Sequence, residues 1–225
     1  MSAVELRLEI VFAARRLQPL GLSPGTSGNL SVRTRDGMLI TPSAVPYEAM
    51  DPDDLVLMEL DGVVRSAPAG RLPSTEWRMH AGILRERRDV TAIVHAHPPW
   101  ATALSCLRRD VPPFHYMVAI CGGRVIRCAS YATFGTQELA DAALGALGER
   151  NACLLANHGI VTCGASVDAA LELAIEVEAL AGQYGRALSI GEPALLTDEE
   201  MDVVAERFEN YRRRTAKNRE PMEET

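Results

Sequence analysis

The sequence predicts an α/β fold of three layers, in which helices cover both sides of a central, mainly antiparallel sheet. Asp36-Gly37 and Asp61-Gly62 each separate two short apolar runs, which is typical of a β-hairpin. Four strands in meander order therefore precede every long helix except the first, an order that differs from a doubly wound parallel sheet. Longer segments with apolar residues at helical spacing supply the outer layers.

The predicted elements follow one another with short connections. The first helix, over residues 3–17, is indicated by Val4, Leu8, Val11 and Phe12, which share one helical face. Later helices are predicted over residues 74–87, 98–107, 136–147 and 166–188, and a last one follows Thr197. Strands are predicted over residues 30–33, 38–41, 55–60, 63–65, 92–95, 124–129, 152–156 and 160–163.

One domain is expected over residues 1–211. With 225 residues, 47% of them hydrophobic, the chain is long enough to bury one substantial core and stays within the single-domain range. Residues 212–225 are charged and contain almost no large apolar side chain. We expect this C-terminal tail to be mobile unless it folds as a lid over a ligand.

Charge and cysteine content argue against several classes of function. Lys and Arg number 23 against 30 Asp and Glu, a net charge of −7, which disfavours nucleic acid or an acidic membrane as a partner. The five cysteines form no CxxC motif and are expected to be buried free thiols. No secretory pattern and no apolar run of membrane-spanning length is found, so a cytoplasmic protein is expected.

Residues 91–100 (TAIVHAHPPW) carry the strongest chemical signal. His95 and His97 end a short apolar strand, and because strand side chains alternate between faces, both imidazoles point to the same side. A second apolar run, residues 152–156, ends at His158 and supplies a third imidazole. Ordinary histidines at strand ends are the alternative interpretation. Three neutral imidazoles with an open fourth position favour a catalytic Zn²⁺ ion, with Mn²⁺ or Co²⁺ as alternatives.

Glu76 is the predicted fourth group of this metal site. It lies in the segment LPSTEWR (residues 72–78), where a helix begins. A carboxylate there binds the ion at rest and serves as a base once substrate displaces it. His80 is a rival ligand, because it follows Glu76 by four residues on the same helical face. We interpret His80 as structural, since the helix carries it one turn away from the end where Glu76 lies.

Small polar residues form candidate binding sites for an oxyanion such as phosphate. Residues 26–29 (TSGN) offer hydroxyls, an amide and unobstructed backbone N–H groups, and Ser74 and Thr75 lie at a helix N-terminus that favours negative charge. Residues 41–44 (TPSA) are a third candidate edge of this pocket. Each cluster alone is also compatible with an ordinary turn or helix cap.

Seven motifs in order along the chain resemble the class II aldolase/adducin family. They are GTSGNLS (25–31), LITPS (39–43), LPSTEW (72–77), HAH (95–97), HYM (115–117), YATFGT (131–136) and NHG (157–159). The likeness runs from about residue 4 to residue 211 without large gaps. It implies a zinc enzyme, typically a cyclic homotetramer, that reversibly splits a ketose 1-phosphate into dihydroxyacetone phosphate and an aldehyde.

The resemblance assigns a role to each candidate residue. It makes the three histidines metal ligands and Glu76 both the fourth ligand and the acid/base catalyst. Tyr116 arrives from a neighbouring subunit and handles the proton on the aldehyde oxygen, so the active site lies at a subunit interface. Tyr211 matches a tyrosine that closes over the site. The phosphate is held by groups of three segments: Thr26, Asn29, Ser43, the Ala44 N–H, Ser74 and Thr75.

The chain departs from this family pattern at several positions. Close relatives have Ser-Ser at residues 74–75 and Thr-Gly at residues 43–44, but a hydroxyl remains in both places, so phosphate binding is retained. Ala96 and Asn157 replace bulkier polar or His residues and reshape the aldehyde end. The expected substrates are L-fuculose 1-phosphate, a 5-deoxypentulose 1-phosphate or 5-methylthioribulose 1-phosphate, which share the dihydroxyacetone phosphate half.

Three other functions remain open within the family. A sugar-phosphate 4-epimerase breaks and remakes a similar bond, but relatives of that kind favour Asp in place of Glu76 and an acidic residue near Tyr116. A methylthioribulose-phosphate dehydratase is a second alternative. An adducin-like binding module is the third, although it has no need to keep three histidines and a carboxylate together.

Overall fold

An eight-stranded sheet lies at the centre of residues 3–217, the part of the chain that the computed structural model describes. Its strands are β1 (Asn29–Thr34), β2 (Gly37–Ile40), β3 (Val56–Met58), β4 (Val64–Ser66), β5 (Ala92–Ala96), β6 (Arg127–Ala129), β7 (Ala152–Leu155) and β8 (Gly159–Gly164). They lie in the order β4-β3-β2-β1-β5-β8-β7-β6, and only β6 and β7 pair in parallel. The predicted mainly antiparallel sheet is confirmed.

Helices cover both faces of this sheet. They are α1 (Ala3–Leu17), α2 (Trp77–Glu86), α3 (Pro99–Ser105), α4 (Gln137–Leu147), α5 (Val167–Ile190) and α6 (Asp198–Lys217). Helices α1, α3 and α5 pack over one face and α2 and α4 over the other, so the predicted three layers are confirmed. Short 3-10 helices at Tyr47–Ala49, Pro52–Asp54 and Tyr116–Cys121 were not predicted. None of the described helices has the length and hydropathy needed to span a bilayer.

Alternation along the central strands divides the side chains between two cores. In β5, Val94 packs into the core beneath α5, whereas Ile93 joins the core beneath α2 and α4. His95 has the same parity as Ile93 and so faces α2. In β1, Leu30 belongs to the first core, and Ser31 hydrogen-bonds a side chain of α2. The polar residues of β1 and β5 therefore meet beneath the start of α2.

Three of the helix caps expected from the sequence are present, but the helix predicted from residue 74 begins only at Trp77, and its N-cap Glu76 makes no capping hydrogen bond through its side chain. Thr136 Oγ1 accepts a hydrogen bond from Leu139 N at 3.2 Å, and Ser166 Oγ accepts one from Ala169 N at 3.1 Å. Thr197 and Glu200 form a reciprocal capping box at the start of α6. This helix continues through residue 217, so it includes the first part of the predicted tail. The rest of that tail, residues 218–225, lies outside the described residues.

The buried face of α1 differs from the one that the sequence indicated. Val4, Leu8 and Phe12 are 65%, 52% and 64% exposed, and of the four residues used to predict the face only Val11 is buried. The buried face instead follows the spacing i, i+3, i+4, i+7 through Ile10, Ala13, Ala14 and Leu17. The two small alanines let the helix approach the sheet closely, and three larger apolar residues stay at the surface.

All five cysteines are free, as expected, but they are not all buried. Cys121, Cys153 and Cys163 are buried, Cys128 is partly buried, and Cys106 is exposed. The buried thiols lie in apolar surroundings, which raise the pKa of Cys121 to about 12. A buried thiol of that kind stays protonated and unreactive.

Candidate active site

Neighbouring strand ends bring the three predicted histidines together. His95 pairs with Asn29 of β1 and with Val161 of β8, and His158 lies in the turn that joins β7 to β8. The ring centres of the histidines are 4.8 Å apart in each of the three pairs. The Nε2 atoms of His95 and His97 lie 2.9 Å from each other. Three imidazoles from two chain segments thus converge on one point.

A tight turn directs His158 toward this point. Asn157 has a φ of 54°, in the left-handed region that Asn tolerates better than most residues. The His158 N–H donates to Leu155 O at 3.0 Å and to Ser105 Oγ at 3.3 Å. At Gly159 a side chain has no room, because a Cβ atom would lie 2.8 Å from Cδ2 of His97. The turn therefore holds two of the imidazoles close together.

Glu76 lies just before α2 and faces the three histidines. It is 5% exposed. Its Oε2 is 3.1 Å from His95 Nε2 and accepts a hydrogen bond from Asn29 Nδ2 at 2.9 Å. Its Oε1 is 3.3 Å from His158 Nε2 but has no hydrogen-bond donor among residues 3–217. A buried carboxylate oxygen with no donor and nearby ring nitrogens is suited to bind a cation.

Glu76, His97 and His158 have the protonation states that a metal site requires. Burial alone raises the pKa of Glu76, but the charges of His95 and His158 and the hydrogen bond from Asn29 outweigh it and hold that pKa well below its usual value. Burial, together with the charge of His95, lowers the pKa of His97 to about 3 and that of His158 to about 4. Neutral imidazoles beside an ionised carboxylate leave nitrogen and oxygen lone pairs available.

The hydrogen bonds around His95 orient it as a ligand. Burial lowers its pKa, but the neighbouring carboxylate of Glu76 more than compensates, so the net pKa is raised. Its Nδ1 lies 2.8 Å from Ile160 O, and since a carbonyl only accepts, Nδ1 carries the hydrogen. Nε2 is therefore the ring nitrogen that faces the cluster and could bind a cation in place of a proton, as is usual for a metal-binding histidine. The donor set of three nitrogens and one carboxylate oxygen fits a divalent cation such as Zn²⁺.

A cavity of about 380 Å³ opens beside this cluster. The candidate phosphate-binding residues all line it: Thr26, Asn29, Ser43, Ala44, Ser74 and Thr75. Glu76, His97 and His158 line it as well. The cavity thus places groups suited to an oxyanion next to groups suited to a metal.

Tyr131, Ala132 and Phe134 also line the cavity, and the sequence analysis gave them no role. In the sequence these three residues belong to the motif YATFGT, whose residue types do not by themselves indicate a catalytic or binding role. Asn157 lines the cavity too, and its Oδ1 accepts a hydrogen bond from Arg108 Nε at 2.8 Å. This part of the lining is mainly apolar and aromatic.

Three predicted residues do not line the cavity of their own chain: His95, which is fully buried behind it, and two tyrosines. Tyr116 begins a 3-10 helix, is 49% exposed and stacks on His115 with 4.8 Å between ring centres. Tyr211 lies on α6 and is 66% exposed. Both tyrosines are on the surface of the chain.

Comparisons with known proteins identify one family. Residues 8–184 match the family model described as the class II aldolase and adducin N-terminal domain. A 5-methylthioribulose-1-phosphate/5-deoxyribulose-1-phosphate aldolase of Rhodospirillum rubrum is 50% identical over 210 residues, which cover 93% of this chain and 94% of that protein. The L-fuculose phosphate aldolase of Escherichia coli K12 is 44% identical over 212 residues, which cover 94% of this chain and 97% of that protein.

A solved structure of an L-fuculose 1-phosphate aldolase has the same fold. It is 42% identical and matches with a TM-score of 0.89, covering 93% of this chain and 98% of that one. The family resemblance noted in the sequence is confirmed by these matches. The chain belongs to the class II aldolase and adducin family.

Proposed function

We propose that the chain is a Zn²⁺-dependent aldehyde-lyase that reversibly cleaves a ketose 1-phosphate to dihydroxyacetone phosphate and an aldehyde. The observation that carries the proposal is the convergence of His95, His97, His158 and Glu76 beside a cavity lined by small polar residues. A phosphate and a metal ion bound side by side account for both sets of residues. The relatives named above are aldolases of three such ketose phosphates.

The chemistry centres on the bond between C3 and C4. A divalent cation held by the three imidazoles supplies Lewis-acid stabilisation of the negative charge that develops when this bond breaks. Glu76 returns a proton to C3 in cleavage and removes that proton in synthesis. Its carboxylate lies within 3.3 Å of two imidazoles and lines the cavity, so it reaches both the ion and the substrate.

The remaining roles concern the second proton and the phosphate. Tyr116 of a neighbouring subunit accepts the proton of the C4 hydroxyl. Tyr211 closes over the occupied site. The phosphate binds among residues 26–29, 43–44 and 74–75, far enough from the breaking bond that it serves to position the substrate.

We propose that the enzyme assembles as a cyclic homotetramer. The exposed apolar residues Val4, Leu8 and Phe12 on α1 support an interface between subunits, because large apolar side chains are rarely left in contact with water in one patch. The exposed Tyr116 supports an active site shared between subunits. Five free cysteines support a reducing, cytoplasmic location.

Among the candidate substrates, we favour 5-deoxyribulose 1-phosphate and 5-methylthioribulose 1-phosphate over L-fuculose 1-phosphate. Cleavage of the two pentuloses releases aldehydes without a hydroxyl group, whereas L-fuculose 1-phosphate releases a hydroxyaldehyde. Tyr131, Ala132 and Phe134 offer such an apolar end a mainly apolar lining. The Oδ1 atom of Asn157 already accepts a hydrogen bond from Arg108, so it is less available to a hydroxyl group of the substrate.

A coupled assay for dihydroxyacetone phosphate release tests the proposal. Zinc-loaded protein is given each of the three substrates and ribulose 1-phosphate, with and without a chelator. We expect chelator-sensitive release that is fastest with the two pentuloses carrying an apolar end. Faster release from L-fuculose 1-phosphate would reverse the substrate preference. No release from any substrate, in protein that holds its metal, would favour the epimerase or dehydratase alternative.

A further inference from the structure

A row of buried hydrogen bonds connects Glu76 to the interior of the protein. Asn29 Nδ2 donates to Glu76 Oε2 at 2.9 Å. His80 Nε2 lies 2.6 Å from Asn29 Oδ1, and His80 Nδ1 lies 2.7 Å from Ser31 Oγ. The four side chains are at most 5% exposed, and His80 and Ser31 are fully buried. His80 is outside the histidine cluster, and both of its ring nitrogens face protein side chains, so neither nitrogen is available to substrate or metal.

The direction of each hydrogen bond in this row follows from the chemistry of the groups. An ionised carboxylate only accepts, so the Asn29 amide turns its NH₂ toward Glu76 and its oxygen toward His80. An amide oxygen also only accepts, so His80 carries its hydrogen on Nε2. The bare Nδ1 then accepts from the Ser31 hydroxyl. Burial lowers the pKa of His80 to about 3, in agreement with one neutral tautomer.

The other neutral tautomer of His80 would place two hydrogen-bond acceptors against each other. If His80 carried its hydrogen on Nδ1, the lone pair of Nε2 would face Asn29 Oδ1 at 2.6 Å. Reversal of the amide would relieve that contact but would set Oδ1 against Glu76 Oε2, two acceptors 2.9 Å apart. Only the Nε2–H tautomer of His80 is therefore compatible with an Asn29 amide that turns its NH₂ toward Glu76.

The strand and the helix hold the row in place. Asn29 and Ser31 have the same parity in β1 and so lie on its α2 side, while Glu76 and His80 are one helical turn apart. His95 pairs with Asn29 across β1 and β5, which places the amide beside the metal-binding cluster. Two packed elements thus orient one hydrogen-bond donor toward the proposed acid/base residue.

We propose that His80 is a positioning residue, which fixes the amide of Asn29 and through it aligns the Glu76 carboxylate for proton transfer at C3. The inference rests on the proposed function, because it takes Glu76 as the group that moves that proton. Neighbours of this kind, which orient a ligand without contacting the ion, typically change activity by about 10- to 100-fold when they are replaced.

Two substitutions at His80 separate the hydrogen-bond donor from the bulk of the side chain. His80→Leu removes the donor to Asn29, whereas His80→Gln keeps an N–H group close to the position of Nε2. We expect His80→Leu to slow the deuterium exchange at C3 of dihydroxyacetone phosphate, and kcat, by about 10- to 100-fold, with zinc content and KM nearly unchanged. His80→Gln is expected to restore most of the exchange rate.

Thr162→Val is the matched control for loss of a buried hydrogen bond. Thr162 Oγ1 is fully buried in β8 and donates to Ala170 O at 2.8 Å, outside the row and the cavity. We expect this variant to keep the wild-type exchange rate even if its stability falls. An equal loss in Thr162→Val and His80→Leu, or an exchange rate in His80→Gln as low as in His80→Leu, would overturn the positioning role. Unchanged exchange in His80→Leu would overturn it as well.

Nitrogen NMR of the metal-free protein tests the row without any reaction. We expect the His80 ring to show the Nε2–H tautomer and the Asn29 NH₂ to exchange slowly with solvent, and we expect this protection to be lost in His80→Leu. An Nδ1–H tautomer in the wild type would overturn the inference.

Should His80→Leu not fold, Ser31→Ala is expected to give a mixture of tautomers and a smaller loss of exchange. Absence of C3 exchange in the zinc-loaded wild type would contradict the proposed function instead, and the NMR result would still decide the orientation of the amide.

Discussion

Glu76→Gln is expected to abolish proton transfer at C3 and leave the fold intact. Glu76 is 5% exposed, and Gln has nearly the same volume, so the surrounding packing is kept. The amide oxygen of Gln takes the place of Oε2, which accepts from Asn29 Nδ2 at 2.9 Å. The amide nitrogen then faces His158 Nε2, which lies 3.3 Å from Oε1 in the wild type. The variant keeps a hydrogen bond and loses the charge and the basicity.

The size of the effect follows from the role assigned to the carboxylate. General acid–base catalysis by one positioned group contributes about 100- to 10,000-fold to a rate. The barrier to exchange should therefore rise by about 3 to 5 kcal/mol. The three imidazoles remain, so the variant is expected to bind one zinc ion per chain at saturating metal.

Proton NMR of dihydroxyacetone phosphate in D₂O measures this exchange directly. Glu178→Gln is the control, because Glu178 is a partly buried carboxylate that caps α3 through the N–H groups of Trp100 and Ala101, each at 2.9 Å. We expect wild-type exchange in Glu178→Gln and almost none in Glu76→Gln. Exchange at the wild-type rate in zinc-loaded Glu76→Gln would mean that another group is the base.

Three further predictions address the subunit interface, the backbone of the cavity and the buried histidine. Equal co-expression of Glu76→Gln and Tyr116→Phe chains is expected to give about a quarter of the wild-type activity, because that fraction of randomly assembled sites has an intact Glu76 beside a neighbour's intact Tyr116. If the mixed assemblies recovered no activity, Glu76 and Tyr116 of the same chain would serve one active site. Ala44 has a φ of 58°, so Ala44→Gly should raise the free energy of unfolding in urea by up to about 1 kcal/mol, and a decrease would contradict strain there. Burial lowers the pKa of His80 from 6.5 to about 3 in the folded protein. Between these two pH values the unfolded chain binds one proton more than the folded chain, so the free energy of unfolding decreases as the pH falls. From pH 7 to pH 5 His80 should lower the free energy of unfolding of the metal-free protein by about 2 kcal/mol, and the loss in His80→Gln should be smaller by that amount. An equal loss in both proteins would contradict a lowered pKa for His80.

The features that the sequence predicted well depend on short stretches of chain. Caps at Thr136, Ser166 and Thr197 each involve residues three positions apart, so they were visible in the sequence. The alternation of side chains along a strand was enough to direct His95 and His97 to one side. Two hairpins were marked by their turn residues. Local rules of this kind indicated the layers and most of the candidate metal ligands.

The features that the sequence did not reveal depend on which distant segments pack together. Ser31 and His80 are separated by 49 positions, and their contact requires β1 to lie beneath α2. For the same reason Asn29 was expected only at the phosphate, whereas its amide donates to Glu76. The parallel pairing of β6 with β7 depends on the chain path through α4. The buried face of α1 was set by the close packing of alanines, which a search for large apolar residues overlooks.

A zinc titration of the metal-free protein, with cleavage of 5-methylthioribulose 1-phosphate measured at each step, tests the central claim most directly. We expect no cleavage without metal, activity that rises in proportion to bound zinc, and full activity at about one ion per chain, as a site made of three imidazoles and Glu76 requires. His97→Ala should bind zinc weakly and remain inactive over the same range. Equal cleavage by metal-free and zinc-loaded protein, or full zinc-dependent activity in His97→Ala, would contradict a metal centre at this cluster.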